Sequence, residues 1–93
     1  MQREELSELG VLLAAELDEL ATKYHVKSNE HELLVWEADI IREKSKDVML
    51  RFGLSENLKE STLLSSWGMT LANKIPEITE KVKFFHSQYE VYK

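Results

Sequence analysis

The sequence predicts an all-α protein, an antiparallel bundle of three helices with the third kinked or broken at Pro76, which leaves a four-helix bundle as the alternative form. Three observations predict it. First, Leu64, Trp67, Leu71, Ile75, Ile78, Val82, Phe85, Tyr89 and Tyr92 recur at spacings of 3 or 4 along the C-terminal third, a period that strands do not produce. Second, Leu6, Leu9, Leu13, Leu17, Leu20 and Tyr24 repeat the pattern near the N-terminus, as in a coiled-coil seam. Third, the connections between the periodic segments are short, which favours antiparallel neighbours.

The first helix is expected from about Arg3 to Tyr24, with His25-Val26-Lys27 leading out of it. The second is expected from about Asn29 to Phe52. Ser28 or Asn29 supplies its N-cap, and with Asn29 as cap Glu32 falls at the third helical position of a capping box. One stripe of this helix is Leu34, Ala38, Ile41, Ser45, Val48 and Phe52; a second, shorter stripe is Leu33, Trp36 and Ile40. The apolar arc is therefore wider than one neighbour needs. Gly53 followed by Leu54 reads as a helix stop, because glycine takes the left-handed conformation and Leu54 folds back on the last turn.

The third helix is expected from Ser55 or Glu56. Pro76, the only proline, either kinks it or starts a fourth helix, since proline suits a first turn. The unbroken apolar phase and Ile75, a poor cap, favour the kink. Length favours the break: at ~1.5 Å per residue an unbroken helix spans about 54 Å against about 33–36 Å for each of the first two. Small residues form a further pattern, Ser7, Gly10 and Ala14 on the first helix and Ser61, Ser65, Gly68 and Ala72 on the third. Glycine inside a helix costs ~1 kcal/mol against alanine, so such stripes indicate close backbone contacts, within one molecule or across a homodimer.

Ninety-three residues make one domain, 1–93. Apolar residues at 43% and charged residues at 31% fit a folded chain rather than a disordered one. The absence of cysteine removes disulfides, thiol catalysis and thiolate metal sites. No signal peptide pattern and no apolar run of spanning length is visible, so the expected location is the cytoplasm. The net charge of −5 lies wholly in residues 1–20, where one arginine faces six acids; residues 21–55 carry six charges of each sign and residues 56–93 five of each. Glu4, Glu5 and Glu8 suit a helix N-terminus. Glu16, Asp18 and Glu19 lie too far along for that, and form either a solvated face or a patch for a partner with a basic surface. Nucleic acid and membrane are not expected partners, since neither is attracted to an acidic surface.

No catalytic or metal motif stands out. His25, His31 and His86 are dispersed and none lies in a Glu-x-x-His pattern. Glu16 and Glu19 form a Glu-x-x-Glu pair, as an all-helical metal-dependent nucleotide pyrophosphohydrolase needs, but no Glu-x-x-Asp pair follows to complete a Mg²⁺ site. Ser61, Ser65 and Ser66 lack a nucleophile motif, and the glycines are too dispersed for a phosphate loop. No enzyme activity and no cofactor are expected. The strongest remaining signal is aromatic: the last ten residues hold four aromatics and either pack back on the bundle or present a recognition surface. The candidate partner-binding residues are therefore Glu16, Asp18, Glu19, Trp36, Phe84, His86, Tyr89 and Tyr92. The expectation from sequence is a small acidic protein-binding module, an inhibitor, immunity, antitoxin or regulatory protein that occludes a larger partner. The inhibitor-type reading rests on analogy at the level of class; a self-assembling homodimer, motivated by the overhang of a long third helix and the small-residue stripes, is the alternative.

Overall fold

The computed structural model describes residues 1–50 and 60–92. Within them the chain is all-helical, with four α-helices: α1 (Arg3–Ala21), α2 (Asn29–Leu50), α3 (Met69–Lys74) and α4 (Pro76–Tyr92), and a 3₁₀ turn at Ser66–Gly68 just ahead of α3. The expected stop at Gly53-Leu54, Phe52 and the expected start at Ser55 or Glu56 lie outside the described residues.

α1 carries its seam as its period requires. Leu6, Leu13 and Leu17 are buried, while Leu9, Leu20 and Tyr24 pack half-buried against the same core. The helix ends three residues before Tyr24, at Ala21, and its last turn is closed by Thr22, whose hydroxyl donates to the Glu19 carbonyl at 2.6 Å. Ser28, not Asn29, caps α2: its Oγ accepts the His31 amide at 3.2 Å, the third helical position. Glu32 is thus one residue past the place a capping box needs. His31 Nδ1 reaches the Ala21 carbonyl at 2.8 Å and joins the end of α1 to the start of α2. Contacts run in opposite order along the two helices, Ala21 against His31 and Ser7 against Ser45, so they are antiparallel.

α4 lies antiparallel to α1, with Lys81 against Glu16 and Tyr92 against Met1. It is parallel to α2, with His86 against Glu37 and Tyr89 against Asp47. A parallel α2 and α4 require a return passage between them, and residues 60–75 are its described part. In residues 60–75 it consists of an irregular segment, the 3₁₀ turn and the short α3.

Pro76 starts a helix and does not kink one. Ile75 takes a non-helical conformation (φ −130°, ψ 61°), outside the α region that a following proline disfavours. The break is stitched by Thr79, whose hydroxyl lies 2.9 Å from both the Ala72 and Ile75 carbonyls. Thr79→Val keeps the shape and removes this donor, so it is expected to cost about 1–2 kcal/mol, read as a lower urea midpoint at unchanged slope. With the break, the longest dimension is 35 Å, and the overhang of an unbroken helix is avoided.

The C-terminal stripe is buried or half-buried from Leu71 to Tyr89 and fails at both ends, since Tyr92 is 39% exposed. Leu71, Val82, Phe85 and Tyr89 are buried, Ile75 and Ile78 half-buried. Leu64 and Trp67 are exposed, at 39% and 65%, and Leu63 takes the core place instead. The two glycines with helical neighbours are close-contact positions inside one molecule. A Cβ on Gly10 would stand 1.8 Å from Ser45 Oγ and 2.6 Å from Phe85 Cε1; one on Gly68 would stand 2.2 Å from the Thr62 carbonyl. No described helix is long and apolar enough to cross a membrane.

Candidate functional site

The most unusual feature of the interior is a carboxylate. Glu37 is completely buried on α2, where an unpaired charge would be prohibitive. Its Oε1 accepts the Ser61 hydroxyl and the Leu63 amide, the latter at 3.3 Å. Its Oε2 faces His86 Nε2 at 3.3 Å, and His86 Nδ1 faces the Lys44 ammonium at 2.9 Å. A lysine ammonium only donates, so Nδ1 accepts and the imidazole proton sits on Nε2, donated to Glu37. The result is a chain from Lys44 through His86 to Glu37 that ends on the backbone of the return segment. The Thr62 hydroxyl adds a bond to the Leu33 carbonyl at 3.0 Å. Ser61 Oγ also accepts the Leu64 amide at 3.1 Å, and Ser65 Oγ donates to the Thr62 carbonyl at 2.6 Å.

These bonds latch residues 61–65 onto α2 and so position Trp67. Its ring lies 6.1 Å from that of Trp36, centroid to centroid, at 57° between planes. Trp36 is itself 40% exposed. The two indoles form one wall of a cleft of about 720 Å³, whose other described lining residues are Asp39, Ile40, Glu43, Glu60 and Thr62. Asp39 pairs with Arg42 at 3.3 Å, and Arg42 also pairs with Asp18. Neither Glu43 nor Glu60 has a cation partner among the described residues. A second cleft, of about 460 Å³, lies where α1 meets the α3–α4 break; Glu16, Glu19 and Glu77 line it together with Lys23 and Lys74. Its charges are nearly balanced and it exposes no aromatic ring, so the tryptophan cleft is the better candidate for recognition.

The residues expected from sequence to bind a partner are dispersed. On the α1 face Glu16 pairs with Lys81 at 3.2 Å and Asp18 with Arg42, while Glu19 is exposed. Tyr89 is a core residue, 2% exposed, with its hydroxyl donating to Asp47 at 2.7 Å and Lys44 over its ring at 5.0 Å. His86 is part of the Glu37 latch rather than a surface group. Tyr92 is 39% exposed and folds back, its hydroxyl donating to the Met1 carbonyl at 2.6 Å. Phe84 is 47% exposed on the outer face of α4. Trp36 alone of the expected residues lines the cleft. Sequence reasoning missed Trp67, Glu60, Asp39 and Glu43 as its companions, because it placed Trp67 on a helical core stripe. The available signal was the run of hydroxyl residues, Ser61, Thr62, Ser65 and Ser66, which compete with helical hydrogen bonding through their own side chains.

Comparison with protein-family models, with curated proteins and with solved structures finds no match for this chain. Among the described residues no three His, Cys, Asp or Glu side chains are grouped as a metal ion would require.

Proposed function

We propose that this chain is a small acidic protein-binding module that works by covering a larger partner, as an inhibitor, immunity, antitoxin or regulatory protein does, and that Trp36 and Trp67 are its anchors. The observation that carries this reading is the exposed tryptophan pair on a backbone latched by a buried carboxylate. Tryptophan offers large rigid area at low entropic cost and dominates binding hot spots. Holding it at the surface on a hydrogen-bonded platform reduces the ordering cost of association. The homodimer alternative loses its main motive, since Gly10 meets Ser45 and Phe85 of its own chain.

The test compares wild type with Trp36→Ala/Trp67→Ala in affinity capture from native extract, followed by binding measurements with the purified partner. Both side chains are substantially exposed, so the double variant should keep its helical circular dichroism. A stoichiometric partner bound by wild type and lost by the folded double variant is the expected result. A partner held equally by both proteins would move the binding face elsewhere. A wild-type dimer in light scattering that the substitutions dissociate would replace occlusion with self-assembly.

A further inference from the structure

We propose that the cleft between Trp36 and Trp67 receives an arginine side chain of the protein partner. The inference rests on the protein-binding reading of this face and names the chemistry of its occupant. Both indoles line the cleft and pack on each other at 6.1 Å and 57°, and an aromatic lining of this kind attracts a planar cation. Beyond the rings stand Asp39, Glu43 and Glu60. Arg42, which pairs with the lining residue Asp39, is turned to Asp18 as well, and among the described residues no cation is paired with Glu43 or Glu60, so both face an incoming group. Phosphate-bearing partners are disfavoured by the same carboxylates. An apolar segment would bury them without a counter-charge.

Arginine fits better than lysine. A guanidinium is flat, weakly hydrated and forked, so it can stack on an indole while its edge donates two bonds to a carboxylate. An ammonium is a strongly hydrated point charge that satisfies the carboxylates but gains less from a pair of rings. The net charge of −5 adds a long-range attraction for the basic surface that would carry such a side chain.

The chain has only two tryptophans and both line this cleft, so joint movement of their indole N–H signals in a ¹⁵N–¹H spectrum reports on it, whereas Trp36 alone also borders a smaller cleft beside His31. The probe is a capped octapeptide of alternating glycine and arginine, with lysine and citrulline versions as comparisons. Saturable movement of both indole signals by the arginine peptide is expected. Binding should be weaker by about tenfold or more for the uncharged citrulline peptide, and similarly for the arginine peptide on Glu43→Gln/Glu60→Gln. Unmoved indole signals at millimolar arginine peptide, or equal movement by the citrulline peptide, would overturn the inference. Equal binding of the lysine peptide would overturn the choice of arginine. Failure of this inference is separable from failure of the reading it rests on. A partner that shields Trp36 and Trp67 while the arginine peptide does not would leave the docking face in place with a different occupant, whereas a partner indifferent to both tryptophans would remove the face itself.

Discussion

Glu37→Met is expected to lower the folding stability by about 3–5 kcal/mol, the range for removing one member of a buried charged network. The side chain is fully buried, and three donors converge on it: the Ser61 hydroxyl, the Leu63 amide and His86 Nε2. Methionine fills a similar volume but accepts none of them well. Each stranded buried donor carries a desolvation penalty of about 1–3 kcal/mol. The Lys44 charge also loses the carboxylate it reaches through His86. Glu37→Gln should fall between the two. Its carbonyl oxygen can still accept from Ser61 and Leu63, but its amide then opposes the His86 proton. Urea unfolding followed by circular dichroism gives the global loss, and tryptophan emission reports the local one. Because the latch holds the segment that carries Trp67, emission should redden in the variants before helicity falls. A Glu37→Met protein within about 1 kcal/mol of wild type would show that the return segment is held by packing at Leu63 and not by the carboxylate.

Phe85→Ala is expected to cost about 3–5 kcal/mol, as truncation of a fully buried aromatic does. Phe85 is 0% exposed and its ring edge faces Gly10 across the α1–α4 contact. The more discriminating measurement is its coupling to Gly10. In an isolated helix Gly→Ala gains ~1 kcal/mol. Here the new methyl would meet Ser45 Oγ at 1.8 Å and Phe85 Cε1 at 2.6 Å. Overpacking of that kind costs about 1–3 kcal/mol, so Gly10→Ala alone should be net destabilising. In the Phe85→Ala background the ring is gone and only the Ser45 hydroxyl must turn aside, so the same change should become neutral or stabilising. A double-mutant cycle by thermal or urea unfolding should return a coupling of about 1–2 kcal/mol. Additive effects would mean that α1 and α4 do not meet at Gly10.

Much of this fold was legible in the residues. The seam of α1, the first stripe of α2 from Leu34 to Val48 and the stripe from Leu71 to Tyr89 are buried or half-buried where their period puts them, because burying a face at 3.6 residues per turn is a local rule the chain writes directly. Pro76 marked its own ambiguity, and the choice between kink and start fell to geometry: a 54 Å helix has no counterpart in a fold 35 Å long. The candidate site was far less legible. Trp36 was visible as a residue on a surplus stripe. Trp67 was assigned to the core because its spacing from Leu64 and Leu71 is helical, although four neighbouring hydroxyl residues argued otherwise. Tyr89 and His86, chosen as aromatic and polar groups near a chain end, are a core residue and a link in the buried network.

By itself, the sequence determined the all-α class, the helices α1 and α2, the inward-facing stripe from Leu71 to Tyr89, and the acidity that any partner must accommodate, while the start of α4 at Pro76 came from the structure. The tertiary structure alone decided that residues 60–68 abandon the helical period, that Leu63 goes in while Trp67 goes out, and that Gly10 serves the molecule's own packing. The reason is physical. Periodicity records what a segment can bury against any apolar neighbour, whereas the path of the return segment is set by a carboxylate 24 residues away from Ser61. A hydrogen bond of that sequence separation leaves no local trace, yet in a buried site it outweighs the modest preference of a Ser/Thr-rich segment for one backbone conformation over another.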